Sequence, residues 1–141
     1  MPRISTSIDI QAAPERVWAV LTDFGAYSGW NPFIREGSGQ AIVGSTLTLR
    51  MFPKNGKPMT FRPTVLTAEP GRSLRWKGRL IVPGVFDGIH EFELTPAGTG
   101  TRLVQSEDFS GILVPFLGKM IKDTEDDFRA LNEALKKHLE S

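Results

Sequence analysis

Cysteine is absent from the 141 residues of this chain, which removes disulfide staples, thiol nucleophiles and thiolate metal sites together. Histidine is scarce: His90 and His138 are the only two. Without thiols they are a poor basis for zinc, so neither a metal nor a cofactor is expected. Long apolar runs are also missing. The longest, Ile112 to Ile121, is interrupted by Pro115, Gly118 and Lys119 and falls far short of the roughly 20 residues of a spanning helix. No stable membrane insertion is expected. The opening Met1-Pro2-Arg3-Ile4-Ser5 shows no apolar signal core, and a cytoplasmic location is the default expectation. Charge is balanced, with 17 basic against 16 acidic residues, which predicts no partnership with nucleic acid.

What is present is an ordinary globular composition, 40% hydrophobic and 23% charged, in a length that suits one domain spanning 1–141. Ile4, Thr6, Ile8 and Ile10 alternate as one face of a strand. Pro14 and Glu15 then suit the first turn of a helix carrying Val17, Trp18, Val20 and Leu21. Asp23 is placed to cap a second short turn that ends at Gly29. Beyond Phe33 the punctuation is that of strands and turns. Gly37-Ser38-Gly39 and Gly44-Ser45 bound a loop, Thr46 to Phe52 reads as a strand, and Asn55-Gly56 marks a hairpin. Phe61–Ala68, Ser73–Leu80, Phe86–Thr95 and Thr101–Gly111 follow as strands, with Pro70-Gly71, Pro83-Gly84 and Pro96 to Gly100 as turns.

The period changes in the last quarter. From Pro115 to about Leu139 apolar residues recur at helical steps, Leu117, Ile121, Phe128, Leu131 and Leu135, with Thr124 in the same stripe. Lys122, Asp126, Asp127, Glu133 and Lys137 are expected on the opposite, solvated side. Tight turns imply an antiparallel sheet, whose apolar face the last helix is able to cover.

The run Ile8 to Trp18 resembles the opening of the START-like, helix-grip superfamily, which includes polyketide cyclases, pollen allergens and lipid-transfer domains. Leu21-Thr22-Asp23-Phe24, Tyr27 and Trp30-Asn31-Pro32-Phe33 add to the likeness, as do Phe86 to Leu94, Thr101 to Glu107 and Phe128 to Leu139. The resemblance implies an α+β fold, with a curved antiparallel sheet of about seven strands, two short helices after the first, and a long C-terminal helix across the sheet. It also implies a cavity between sheet and helix that accepts a hydrophobic small molecule. Carriers, receptors, cyclases and co-chaperones share this scaffold, so the fold alone does not name an activity.

Hairpin arithmetic gives the cavity an address. Pairing Pro96 with Thr101 sets His90 opposite Glu107, Phe92 opposite Gln105 and Leu94 opposite Leu103. Phe86, Gly88, His90, Phe92, Gln105, Glu107 and Phe109 then share one face, the more apolar one. The Pro70-Gly71 turn sets Trp76 opposite Val65 and Leu74 opposite Thr67, so Phe61, Pro63, Val65, Trp76 and Leu80 point inward too. Thr67 joins His90, Gln105 and Glu107 as the polar residues of that face. The expected ligand-binding set is Phe61, Val65, Trp76, Phe86, His90, Phe92, Gln105, Glu107 and Phe109, closed by Leu117, Ile121 and Phe128 of the helix.

Glu107 on an apolar face must be protonated, solvated or paired, and His90 across the strand is its obvious partner. Three readings of the pair stand: mutual satisfaction, orientation of a polar ligand group, or an acid–base couple. Binding or carrying a hydrophobic molecule without turnover is the first functional reading. A metal-free cyclase or dehydratase acting through His90 and Glu107 is the second, and a co-chaperone-like protein-binding module the third. A monomer or a homodimer suits any of them.

Trp30-Asn31-Pro32 reads as structural, with Trp30 plugging the join between short helices and sheet. Arg75, Lys77 and Arg79 form a basic outer stripe that a solvated sheet face explains. The apolar segment Phe109 to Met120, with Pro115 and Gly118, is expected near one end of the cavity, as a mobile gate or as ordinary packing ahead of the helix.

Overall fold

A computed structural model describes residues 2–80 and 84–141 of the chain. Among them the order is β1 (Arg3–Ile10), α1 (Pro14–Thr22), a 3-10 segment (Phe24–Gly29), β2 (Ile34–Ser38), β3 (Thr48–Met51) and β4 (Met59–Phe61). Then come β5 (Thr64–Glu69), β6 (Ser73–Leu80), β7 (Phe86–Ala97), β8 (Gly100–Ser110), a 3-10 turn (Val114–Phe116) and α2 (Gly118–Glu140). The side chain of Leu80 and all of Pro83 lie outside the described residues.

The eight described strands form two antiparallel sheets, not one of seven. One runs β1-β8-β7-β6-β5 and the other β2-β3-β4, joined by a bridge between Thr46 and Thr64. Pro63 is the reason for the division of the expected Phe61–Ala68 strand. It has no N–H for a ladder; its carbonyl instead accepts from the Leu47 backbone at 2.9 Å. Gly37 and Ser38, expected in a loop, belong to β2. A Cβ on Gly37 would stand 2.9 Å from the Phe24 carbonyl oxygen, so the glycine lets β2 lie against the 3-10 segment.

The β7–β8 register is the one expected, with His90 opposite Glu107, Phe92 opposite Gln105 and Pro96 opposite Thr101. The turn is tighter, since Ala97 pairs with Gly100 and Gly98 takes the left-handed conformation at φ +62. In β5–β6, Trp76 does face Val65, but a bulge between Val65 and Thr67 shifts the rest by one. Leu74 therefore faces Ala68, and Thr67 faces Arg75. Thr67 belongs to the outer face, with Arg72 and Glu91 around a shallow cleft.

α1 starts with Pro14 in its first turn and ends before Asp23, whose side chain forms no cap hydrogen bond to the 3-10 segment. Tyr27 is fully buried and its hydroxyl donates to the Leu21 carbonyl. Burial, and secondarily the Asp23 charge, push its phenol far above the usual range. Asn31 Oδ1 accepts from the Phe33 and Ile34 amides at 3.0 and 2.8 Å, and Trp30 packs between Tyr27 and His138.

α2 begins at Gly118, not Pro115, because the first residues make a separate 3-10 turn. Ile121, Phe128, Leu131, Leu135 and Leu139 are buried, and the helix is clamped to the sheet by a polar chain. Gln105 Nε2 donates to Asn132 Oδ1 at 2.7 Å and to the Phe128 carbonyl at 3.2 Å. Asn132 Nδ2 donates in turn to Thr6 Oγ1 at 2.8 Å. Asp127 is buried, not solvated, and accepts from the Lys54 backbone at 3.1 Å. It borders the apolar stripe beside Phe128, where the β3–β4 connection reaches over to it.

Candidate functional site

The chain leaves a cavity of about 480 Å³ at one end of the sheets. It lies between the β3–β4 hairpin, the ends of β6, β7 and β8 that face it, and the first half of α2. The second half of α2 is tied to β8 and β1 through Asn132, while residues of its first half line the space.

Six of the expected residues line this space: Phe61, Trp76, Phe86, Glu107, Phe109 and Leu117. The rings of Phe86 and Phe109 stack at 5.5 Å on neighbouring strands and form an aromatic wall. The other six do not line it. Val65, Phe92, Ile121 and Phe128 are buried core residues, and the Phe128 ring of α2 lies 4.7 Å from that of His90 on β7. Gln105 is taken up by the Asn132 clamp. His90 lies behind the wall, 1% exposed, with its ring 4.8, 4.7 and 4.7 Å from those of Trp76, Phe92 and Phe128.

His90 and Glu107 are nevertheless brought together. His90 Nδ1 stands 3.4 Å from Glu107 Oε1, yet neither ring nitrogen makes a hydrogen bond among the described residues. The approach is therefore an electrostatic contact and not a formed hydrogen bond. A buried ring nitrogen without a partner costs about 1–3 kcal/mol. Glu107 itself is 17% exposed at its side chain and reaches the cavity. Its carboxylate occupies the space above Gly88, where a Cβ would collide with Oε2. Only a glycine there lets the acid lie flat against β7.

A second group of lining residues carries no signal in the strand spacing. Met51, Met59 and Met120 supply adaptable apolar surface. Asp123, Thr124 and Asp127 of α2 also face the space. Burial, ahead of the opposing Lys54 hydrogen bond and the like charges of Asp123 and Asp126, raises the Asp127 carboxyl above the usual range. Thr124 within the apolar stripe was the one signal available for this side of the helix. Lys57, Arg79 and Lys119 sit at the outer margin, all exposed; Lys119 is bonded to Asp123 at 2.9 Å. Arg79, on the expected outer stripe, thus also contributes to the mouth.

Phe116 lines the mouth and is 80% exposed, and Ile112 nearby in sequence is 72% exposed. The Phe109–Met120 segment therefore does border one end of the cavity. No helix among the described residues is long and apolar enough to cross a membrane.

Comparison with known proteins places this geometry in a wider group. The family model described as polyketide cyclase / dehydrase and lipid transport matches residues 1–140. No curated protein matches the chain. Among solved structures, a protein from Mesorhizobium loti is similar with a TM-score of 0.79 at 22% identity, over 99% of this chain and 97% of that one. A START superfamily protein from Mycobacterium smegmatis has a TM-score of 0.78 at 22% identity, over 98% and 97%. The di-domain ARO/CYC StfQ of the steffimycin biosynthetic pathway has a TM-score of 0.73 at 13% identity, over 98% of this chain and 50% of that one. At these identities the likeness is one of fold.

Proposed function

The chain belongs to the polyketide cyclase / dehydrase and lipid transport family, and from that premise we propose that it binds a hydrophobic small molecule in the cavity between its sheets and α2. The observation that carries this reading is the cavity itself. Its 480 Å³ falls within the roughly 300–1,000 Å³ of small-molecule sites, and an aromatic wall with a few convergent polar groups is their usual chemistry. Apolar burial supplies the affinity, and Glu107 is the group that orients the ligand. Val65, Phe92, Ile121 and Phe128 support the wall from behind.

Native mass spectrometry of freshly purified protein, followed by extraction, tests the reading. Retained small molecules are expected, or uptake of the neutral fluorescent probe N-phenyl-1-naphthylamine. Met120→Trp, which fills the mouth without touching a strand, is expected to abolish uptake while circular dichroism stays unchanged. Wild-type protein that takes up neither would overturn the proposal and favour a surface-binding module.

A second reading rests on the unbonded approach of His90 to Glu107. Turnover would run through Glu107 as the proton-transferring group, with His90 as a positioning residue that holds the carboxylate. A pH–rate profile that moves in His90→Asn while KM is kept supports this reading; binding without turnover leaves the carrier.

A further inference from the structure

We propose that the cavity selects amphipathic ligands whose buried end is a hydrogen-bond donor, an ammonium or hydroxyl group on an apolar and preferably aromatic body, and that it rejects carboxylates. This rests on the proposed binding role and specifies the ligand class of that same site.

The wall is sorted by charge in depth. Its inner polar groups are acidic or neutral: Glu107 from β8, Asp127 and Asp123 from α2, and the Thr124 hydroxyl. Asp127 is 6% exposed, and the side chains of Glu107 and Asp123 are 17% and 28% exposed. The basic groups lie outside, where the Lys119 side chain is 84% exposed and already bonded to Asp123. An ionised carboxylate is acceptor-only. A ligand that reaches Glu107 must therefore bring a donor, and one that brings a second carboxylate meets like charge in a desolvated space.

The buried imidazole does not reverse this preference. His90 is shielded by Trp76, Phe92 and Phe128, and its Nδ1 stands 3.4 Å from Oε1 of Glu107. The other oxygen, Oε2, lies over Gly88, and both Gly88 and Glu107 line the cavity. The Thr124 hydroxyl already donates to the Met120 carbonyl at 2.8 Å, so it offers an incoming molecule an acceptor. The carboxylate and hydroxyl oxygens of Glu107, Asp123, Asp127 and Thr124 thus favour a donor.

The aromatic preference follows from the remaining wall. Phe86 and Phe109 present parallel rings 8° apart in plane, and Trp76, Phe61, Phe33 and Phe116 add to the aromatic lining. A cationic or hydroxylic head on a flat ring matches both halves of this surface.

Displacement of N-phenyl-1-naphthylamine by three naphthalenes of matched size tests the idea. These are 2-naphthylmethylamine, 2-naphthylmethanol and 2-naphthoate. At neutral pH the amine is expected to compete at least about tenfold better than the carboxylate, with the alcohol between them. Glu107→Gln, nearly isosteric, is expected to weaken the amine by about tenfold and strengthen the carboxylate, changing the alcohol by less than about threefold. Asp127→Asn is a second variant that should shift the amine in the same direction by a smaller factor. Equal competition by amine and carboxylate in wild type, or an order unmoved by both variants, overturns the selectivity while leaving the cavity a binder. A probe that fails to bind wild type, or that binds Met120→Trp equally well, overturns the binding reading together with this one.

Discussion

Asn132 shows how much one side chain holds together. It accepts from Gln105 and donates to Thr6, so it ties α2 to β8 and β1 at once. Asn132→Ala removes both bonds and leaves buried polar atoms on two strands. The expected loss is about 2 kcal/mol, read in urea as a lower midpoint with an unchanged slope. Asp127 makes a different case, because its carboxyl titrates higher in the folded chain than the ordinary 3.8. For an acid raised by burial, the folded state holds the proton more tightly. The cost is therefore absent below pH 3.8 and fully present above the raised value. Asp127→Asn keeps an acceptor for the Lys54 amide and is expected to be more stable than wild type at pH 7. The difference should vanish in denaturation at pH 3. Residues of this kind were the least legible in sequence. Gln105 was read as a cavity group because alternation gives its face but not its depth, and a helix residue one step away supplied the partner. Asp127 borders its stripe, where period alone cannot assign a side.

At the scale of elements the hairpins were the legible part. The β7–β8 register followed from turn placement, since a tight connection leaves few pairings and a slip of one would turn every side chain over. The β5–β6 pairing was legible for Trp76 and Val65 and failed beyond them, because a bulge is a local backbone event with weak sequence signature. Division into two sheets was missed for a related reason: Pro63 reads as an inward residue of a strand, while its missing N–H ends the ladder. Gly100 marks an approach of elements that pattern does not reveal. A Cβ there would collide with the Ile10 carbonyl at the end of β1, backbone that cannot rotate away. Gly100→Ala is expected to cost about 3 kcal/mol in chemical denaturation, whereas Gly118→Ala meets nothing within 4 Å and should be neutral or slightly stabilising.

For the whole molecule, the proposed ligand would fill a space that exists in the folded chain only. Occupancy at a hundredfold excess over Kd stabilises by about 2.7 kcal/mol, or roughly 5–10 °C in a domain of this size. Stripping bound molecules should lower Tm by that amount, and adding the naphthyl probe should restore it. The sheet order has a consequence of another kind. Arg3 lies beside Asp108 because β1 pairs with β8, so the earliest of the described strands bonds to the latest of them. With those two residues 105 positions apart, a ribosome working at about 5–20 residues per second leaves Ile4, Ile8 and Ile10 without their partner strand for roughly 5–20 s. Nascent β1 is thus a sticky segment in search of a strand, and the time before β8 emerges is when a chaperone has most to protect.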